Sequence, residues 1–380
     1  MREVELLRAG YSFTTESGYG YPRFRAAAVQ AAPIFLDREA TISRLAEWVA
    51  KAREADADLE VFGESFVPAF PLWNMLYAPV EQHAFYRRLF DNAVEIPGPQ
   101  VQQLGAIARR HGVVLSVGVT EKGSVSMGAM WNTNLIFDAD GRLLNRHRKL
   151  VPTWAEKLTW SNGDASNLRV ERTAVGRLGA LICGENTNTL ARFALLAQGE
   201  QVHIATYPAA WPTRRGANIG YNLTEAIRIR SAAHAFEGKV FNVVASCALD
   251  ERTIEEVSQG NSEVRDILNS AAPAASMILG PQGEPLSEPQ VGGEGIVVAD
   301  LDVALSIEQK QFHDIVGYYN RFDVFRFVVD QRPQSPISVI SSALEAEETA
   351  DDHSPFGEPT TTLRAEKNQD QAKWRRRVIS

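Results

Sequence analysis

The sequence predicts an α/β fold in which buried strands are covered by layers of helices. Two observations support this class. Strand-like apolar runs alternate with helix-like periodic segments over roughly 300 residues, which is typical of layered α/β domains. The apolar runs, such as residues 113–119, are also continuous rather than alternating, as expected of strands covered on both faces. With 44% hydrophobic residues among 380, the chain can bury a large core.

The first half of the chain is predicted to hold five strands and two helices. Residues 38–55 place Ile42, Leu45 and Val49 at helical spacing. Asp138-Ala139-Asp140-Gly141 predicts a hairpin turn, because glycine can adopt the positive φ that such a turn requires. The predicted elements are strands 25–32, 59–62, 113–119, 132–137 and 142–148, and helices 38–55 and 101–110.

The second half continues the alternation. Gly199 and Gly238 each end a periodic segment, as glycine does at helix ends, and Pro208 stops an apolar run. Pro281-Gln282-Gly283-Glu284 predicts a turn between two further strands. The predicted elements are strands 178–182, 202–207, 240–246, 275–279 and 295–301, and helices 190–198 and 223–237.

Both ends of the chain differ from the segment between them. Residues 1–22 lack the apolar core of a secretory signal and are predicted to be a loosely held extension. Residues 336–380 contain an acidic cluster at 345–352 and end near three arginines, with too few apolar residues to offset the entropy of ordering. We interpret them as a solvated tail, although the basic end could contact an acidic surface of a neighbouring subunit. Residues 23–335 remain as one domain.

Net charge and cysteine content limit the classes of binding partner and the cellular location that we expect. A net charge of −8 argues against a nucleic-acid-binding surface, and no apolar stretch reaches membrane-spanning length. We therefore expect a small-molecule substrate, no nucleic acid and no membrane. The two cysteines, Cys183 and Cys247, are too few for a disulfide scaffold, which favours a reducing, cytoplasmic location.

Cys183 is the best candidate nucleophile. It ends an apolar run and begins a polar turn, where Gly184 gives room for a sharp bend. A helix beginning near Asn188 would direct N–H groups towards the sulfur and favour the thiolate. The alternative is a small buried hydrophobic side chain. We assign that structural role to Cys247, which lies within an apolar strand.

A carboxylate and an amine follow two other apolar segments. Glu64 comes just after residues 59–62, where burial would raise its pKa and suit a proton shuttle, unless it turns to water. Lys149 follows Arg146 and Arg148, so it could equally belong to an exposed basic patch. Glu156 lies seven residues further on and either orients this lysine or is solvated.

Four histidines are distributed without the spacing of a metal site, and we expect them to be structural or hydrogen-bonding groups. We therefore expect no metal and no organic cofactor. The four are His147, His203, His234 and His313.

Taken together, three segments resemble the nitrilase branch of the carbon–nitrogen hydrolase superfamily. Their order and spacing agree with the family pattern, and similarity extends over about residues 24–333, including 207–212 and 317–323. The three segments are Phe62-Gly63-Glu64-Ser65-Phe66, His147-Arg148-Lys149-Leu150-Val151-Pro152-Thr153-Trp154-Ala155-Glu156 and Cys183-Gly184-Glu185-Asn186.

The resemblance implies a four-layer α-β-β-α sandwich and a set of roles. Cys183 would be the nucleophile, Glu64 the general base and acid, Lys149 the group that stabilises the tetrahedral intermediate, and Glu156 its support. The implied reaction converts an organic nitrile to a carboxylic acid and ammonia through a thioimidate and a thioester, with possible amide by-product.

Two other functions stay open at this point. An amidase of the same superfamily would share the thioester, although residues 152–156 favour a nitrilase. A catalytically silent assembly or binding protein could use the same fold, but three retained reactive side chains argue against it.

One departure from the family pattern concerns the substrate pocket. Many nitrilases carry Trp directly after the cysteine, whereas this chain has Gly184, which predicts a wider pocket. The expected pocket residues are Gly184 and four tryptophans that suit an apolar substituent, although each tryptophan could instead belong to the core or an interface. The four are Trp73, Trp154, Trp160 and Trp211.

The resemblance also implies a homo-oligomer, with dimers that extend into a spiral or helical filament. Helices 190–198 and 223–237 are the candidate interface elements, with residues 312–329 reaching across.

Overall fold

Two β-sheets lie face to face in the structure, a computed structural model that describes residues 21–213 and 221–334. The predicted extension 1–22 lies outside the described residues except for Tyr21 and Pro22, and the predicted tail 336–380 lies wholly outside them. Among the described helices, none is both long enough and apolar enough to span a bilayer.

The first sheet has seven strands in the order β13-β1-β2-β4-β5-β6, with the short β3 beside β4. Strands β1, β2 and β4 are parallel, whereas β13, β5 and β6 are antiparallel to their neighbours. The predicted hairpin joins β5 to β6. The strands are β1 (Arg23–Gln30), β2 (Leu59–Phe62), β3 (Val94–Glu95), β4 (Val114–Lys122), β5 (Met130–Phe137), β6 (Leu143–Arg148) and β13 (Gly295–Asp302).

The second sheet has six strands in the order β12-β11-β10-β9-β8-β7, of which β8, β9 and β10 are parallel. The two strands flanking the predicted turn at 281–284, β11 and β13, lie in different sheets, so this turn does not form a hairpin between them. The strands are β7 (Glu171–Thr173), β8 (Gly176–Ile182), β9 (Val202–Tyr207), β10 (Phe241–Ser246), β11 (Ala275–Leu279) and β12 (Gln290–Val291).

Helices cover the outer face of each sheet. In β1, Ala27 packs towards the helices and Ala28 towards the other sheet, because successive strand residues point to opposite faces. This alternation buries both faces and confirms the predicted four-layer α-β-β-α sandwich. Helices α1 (Arg38–Glu54) and α3 (Pro99–His111) cover the first sheet, and α4 (Thr189–Leu196) and α5 (Leu223–Gly238) cover the second.

Four further helices were not predicted. All four are short, and three of them are amphipathic and supply side chains such as Phe85, Ile254 and Leu268 to a separate aromatic cluster beyond the strand ends. They are α2 (His83–Asn92), α6 (Glu251–Ser258), α7 (Ser262–Ser270) and α8 (Ser306–Phe312).

Strands β2, β6 and β8 bring three segments to one end of the sandwich. β2 ends just before Glu64, β6 just before Lys149 and β8 just before Cys183. The backbone turns sharply at each segment, with positive φ at Ser65 (47°), Trp154 (45°) and Cys183 (50°). Such backbone is costly for these residue types and occurs preferentially at functional sites.

Candidate active site

The structure brings the four predicted catalytic side chains together. Cys183 Sγ, one carboxylate oxygen of Glu64 and one of Glu156 lie within 4.8 Å of one another. Lys149 Nζ lies between the carboxylates and donates to Glu64 Oε1 at 2.8 Å and to Glu156 Oε2 at 2.7 Å. All four are buried, and they are referred to below as the Cys183 group.

Glu64 is held so that one oxygen stays available. Its Oε1 accepts hydrogen bonds from Lys149 and from Asn132 Nδ2 at 2.6 Å, whereas Oε2 has no partner among the described residues. The backbone N–H of Glu64 donates to the carbonyl of Tyr207 on the second sheet at 3.1 Å. Asn132 was not predicted, although a polar residue in an otherwise buried strand was a signal for it.

Lys149 is buried rather than part of an exposed basic patch. It follows β6, where alternate side chains point to opposite faces, so that Arg146 and Arg148 instead pair with the buried Glu121. Burial alone would lower the pKa of Lys149, but the charges of Glu156 and Glu64 outweigh burial and raise that pKa. The ammonium therefore stays charged.

Glu156 supports the lysine and keeps one oxygen free. Burial, together with the charge of Glu64, raises the pKa of Glu156 to about 7, against the opposing effect of Lys149. Its Oε2 also accepts from the backbone N–H of Thr153 at 2.8 Å, while Oε1 has no partner among the described residues.

Cys183 is a buried thiol in its resting state. Burial, and then the charge of Glu64, raise the pKa of Cys183, and Lys149 offsets only part of this rise. A helix begins where it was predicted, since Asn188 caps α4 and its side chain accepts from the N–H groups of Leu190 and Ala191. The predicted preference for the thiolate is contradicted, because the raised pKa favours the neutral thiol. The thiol therefore needs a base.

Glu185 links the cysteine segment to the lysine segment. Its carboxylate accepts from the backbone N–H of Ile182 at 2.9 Å and from that of Leu150 at 2.7 Å, and it pairs with His147 Nε2 at 2.9 Å. These bonds outweigh the effect of burial and hold the pKa of Glu185 below its usual range. Glu185 thus holds Ile182, just before Cys183, and Leu150, just after Lys149. The sequence analysis did not predict this role for Glu185.

A second buried cluster lies behind the nucleophile. Glu200 Oε1 pairs with His203 Nδ1 at 2.7 Å and Glu200 Oε2 with His234 Nε2 at 2.8 Å, and these three residues are called the Glu200 cluster. His203 Nε2 contacts Asn186 Oδ1 at 2.9 Å, and Asn186 Nδ2 donates to the Cys183 carbonyl at 3.1 Å. The hydrogen-bonding role predicted for these histidines, and for His147, is confirmed.

Two groups within the described residues have the donor types of a metal site. In the first, formed by Glu64, Glu156 and Cys183, the Lys149 ammonium already lies against both carboxylates. In the second, the Glu200 cluster, both carboxylate oxygens are engaged by imidazole rings. In both groups, protein donors occupy at least one oxygen of each carboxylate.

The tryptophans are distributed differently from the predicted pocket lining. Trp73 is fully buried and stacks on Phe85 with 5.0 Å between ring centroids, so the structure favours its core alternative. Trp160 is also buried, edge-on to Phe70 at 5.5 Å, whereas Trp154 is 68% exposed. Trp211 packs against the apolar cluster that contains Cys183.

Gly184 does not leave open space beside the nucleophile. A Cβ at this position would lie 2.7 Å from Thr153 Oγ1, because the threonine side chain occupies that space. Thr153 thus lies where a side chain at position 184 would begin, and the wider pocket expected from the missing tryptophan stays a prediction.

Known proteins resemble this chain in sequence and in fold. The model of the carbon–nitrogen hydrolase family matches residues 25–311. A nitrilase of Paraburkholderia phymatum is 37% identical over 321 residues, covering 84% of this chain and 91% of the relative. An aliphatic nitrilase of Rhodococcus rhodochrous is 33% identical over 331 residues, covering 86% and 88%. A bifunctional nitrilase/nitrile hydratase of Lupinus angustifolius is 31% identical over 342 residues, covering 87% and 93%.

Solved structures support the same fold. A carbon–nitrogen hydrolase of Helicobacter pylori G27 has a TM-score of 0.61 at 18% identity, covering 78% of this chain and 97% of its own. A double mutant of the amidase from Nesterenkonia sp. AN1, in complex with acrylamide, has a TM-score of 0.54 at 19% identity, covering 75% and 93%. At these identities the likeness concerns the fold alone.

Proposed function

The chain belongs to the nitrilase branch of the carbon–nitrogen hydrolase family, and we propose that it hydrolyses an organic nitrile to a carboxylic acid and ammonia. It is a hydrolase that acts on carbon–nitrogen bonds. One observation carries the proposal. A buried thiol lies beside a carboxylate that has one oxygen without a partner in the described ranges, and a buried ammonium lies against the same carboxylate.

The first step uses the free oxygen of Glu64. Because the pKa of Cys183 is raised, Glu64 Oε2 removes the thiol proton as the sulfur attacks the nitrile carbon. Returning that proton to the nitrile nitrogen gives a thioimidate and restores the carboxylate.

The later steps use water and the same base. Water that loses a proton to Glu64 adds to the thioimidate and gives a tetrahedral intermediate, whose developing charge Lys149 Nζ and the Gly184 N–H stabilise. Loss of ammonia leaves a thioester, and a second water releases the acid. Expulsion of the thiol from the tetrahedral intermediate instead gives the amide by-product.

The test is product analysis with wild type and two matched cysteine variants. Ammonia, acid and amide are quantified separately for aliphatic, arylaliphatic and aromatic nitriles and for the corresponding amides. We expect acid and ammonia from nitriles, a complete loss in Cys183→Ala, and retention in Cys247→Ser, which alters the other buried thiol.

The outcomes separate the candidate functions. Turnover of amides alone would assign the chain to amidases, and a Cys183→Ala variant as active as wild type would exclude the covalent route. Intact-mass spectrometry of a quenched reaction should show an acyl adduct on wild type and on Cys247→Ser, and none on Cys183→Ala. A silent binding protein would form no adduct.

We propose further that the enzyme acts as a homo-oligomer, through the elements suggested by the family resemblance. On α5, Ile229 and Phe236 are exposed, and beyond α8 a run of apolar side chains including Tyr318, Phe325 and Val328 is exposed as well. Exposed apolar surface of this extent is typical of interfaces. A cytoplasmic location fits the two buried free thiols.

Light scattering after size exclusion tests the assembly. Phe325→Asp should lower the measured mass, whereas Val125→Asp, which alters an exposed apolar residue elsewhere, should not. A monomeric wild type would exclude the proposal, and negative-stain microscopy would show whether dimers extend into filaments.

A further inference from the structure

Arg230 is a cation near the nucleophile without a carboxylate partner among the described residues. Its Nη2 donates to the hydroxyl of Tyr221 at 2.8 Å, whereas its Nη1 is buried and has no described hydrogen-bond partner. The nearby Arg228 of the same helix, in contrast, pairs with Glu225.

Tyr207 presents a second unsatisfied donor at the same place. It ends β9 and is fully buried, and its hydroxyl lies near that of Ser231, but neither hydroxyl has a hydrogen-bond partner of normal geometry in the part of the chain that the structure describes. Tyr207 and Cys183 belong to one apolar cluster, against which Trp211 and Tyr221 pack.

Packing places Arg230 beside the cluster that holds both groups. Tyr221, which accepts from Arg230, packs against the apolar cluster that contains Cys183 and Tyr207. The positive charge of Arg230 accordingly opposes the rise that burial causes in the pKa of Cys183 and in that of Tyr207. Arg230 is not part of the Cys183 group.

The free N–H groups of Arg230 and the hydroxyl of Tyr207 are a donor set for an anionic oxygen. Guanidinium groups bind carboxylates through charge-assisted hydrogen bonds, and the partly buried Arg230 has a buried Nη1 without a counter-charge among the described residues, which is unfavourable. A carboxylate arriving with the substrate would supply both the charge and the acceptors, while Trp211 would contact the carbon chain.

We propose that the substrate is a nitrile that also carries a carboxylate, and that Arg230 and Tyr207 bind this carboxylate while the nitrile carbon meets Cys183. The inference rests on the proposed nitrile hydrolysis and names its substrate class as cyano-carboxylic acids. It differs from the apolar substituent predicted from the tryptophans.

The turnover test compares ω-cyano carboxylates, with two to five methylene groups, with n-alkyl nitriles of equal length. Wild type should favour one acid by tenfold or more in kcat/KM. Arg230→Gln should lower kcat/KM for that acid by about 100-fold, mainly through KM, and change alkyl nitriles by less than about threefold. Tyr207→Phe should act in the same direction, and Arg230→Lys should restore part of the affinity.

Controls distinguish recognition from general support of the site. Arg228→Gln removes a charge from the same helix and should leave both substrate series unchanged. An Arg230→Gln variant that loses activity equally on acids and alkyl nitriles, or a wild type that prefers the alkyl series, would overturn the inference while nitrile hydrolysis stands.

A binding measurement makes the test independent of turnover. Calorimetric titration of Cys183→Ala with 4-cyanobutanoate and with pentanenitrile should show tighter binding of the acid, and adding Arg230→Gln should abolish that difference. Equal affinities would overturn the inference. Failure of the proposed function itself would appear instead as absent turnover of every nitrile by wild type.

Discussion

The Cys183 group and the Glu200 cluster are both buried sets of ionisable side chains, but they differ in what they leave unpaired. In the Cys183 group, one oxygen of Glu64 and one of Glu156 have no partner among the described residues. In the Glu200 cluster, histidines engage both carboxylate oxygens, and the atom without a described partner is the ring nitrogen His234 Nδ1. The difference indicates that the first set is arranged for a substrate and the second for holding the backbone of the nucleophile segment.

The largest expected effect is on activity, from Glu64→Gln. The amide keeps the shape of the side chain and can still accept from Lys149 or Asn132, but it cannot take the thiol proton. We expect kcat to fall on the order of 1000-fold, with the free energy of unfolding changed by less than about 1 kcal/mol. Steady-state kinetics and urea unfolding check this. A loss of stability as large as that expected for Glu200→Gln would show that the Cys183 group is also a structural set.

The next effect is on stability, from Glu200→Gln. Burial alone would raise the pKa of Glu200, but His203 and His234 outweigh burial and lower it to about 2. A lowered carboxylate pKa stabilises the fold above the unfolded pKa near 4.5, and this contribution is lost as pH falls through 2. The variant should lose about 3 kcal/mol at neutral pH.

The pH dependence of unfolding supplies the check on Glu200. Wild type should lose more stability than Glu200→Gln between pH 4.5 and pH 2, whereas their kcat values should differ by about tenfold or less. Parallel stability curves for the two proteins would contradict the role assigned to the cluster.

Glu185 is a structural carboxylate that should also affect activity, because it holds backbone groups of both the cysteine segment and the lysine segment. Glu185→Gln loses at least one of the acceptor bonds to Ile182, Leu150 and His147, so we expect kcat to fall about 30-fold with KM nearly unchanged. Glu225→Gln, an exposed carboxylate change, serves as the control. A rise in KM without a fall in kcat would show that Glu185 acts on binding instead.

The smallest expected effect concerns Glu60, a buried carboxylate outside both sets with no described partner for either oxygen. Burial raises the pKa of Glu60 to about 9, so its neutral form is stable in the fold and stability falls as pH rises from 4.5 through 9. At pH 8, Glu60→Gln should be more stable than wild type, because the amide cannot ionise. The gain should be only about 1 kcal/mol, because the buried amide also lacks hydrogen-bond partners among the described residues. Equal slopes of stability against pH would contradict this.

Sequence reasoning succeeded where local chemistry is decisive. Continuous apolar runs predicted strands buried on both faces, and the polar residues just after them gave Glu64 and Cys183 as site candidates. It failed where a long-range contact decides, as with Asn132, Glu185 and Arg230, whose positions relative to the thiol depend on which strands and helices become neighbours.

The sequence by itself determined the layered class and the order of the main strands and of the four covering helices, because apolar periodicity and turn residues act over a few neighbouring positions. The same local signals marked Glu64 and Cys183, whereas the family resemblance singled out Lys149. The tertiary structure decided that β11 and β13 enter different sheets, that Lys149 is buried while Arg146 and Arg148 pair with Glu121, and that Trp73 is core. Those outcomes depend on which surfaces meet across the sandwich, and burial and electrostatic pairing between distant residues are settled only when the sheets pack.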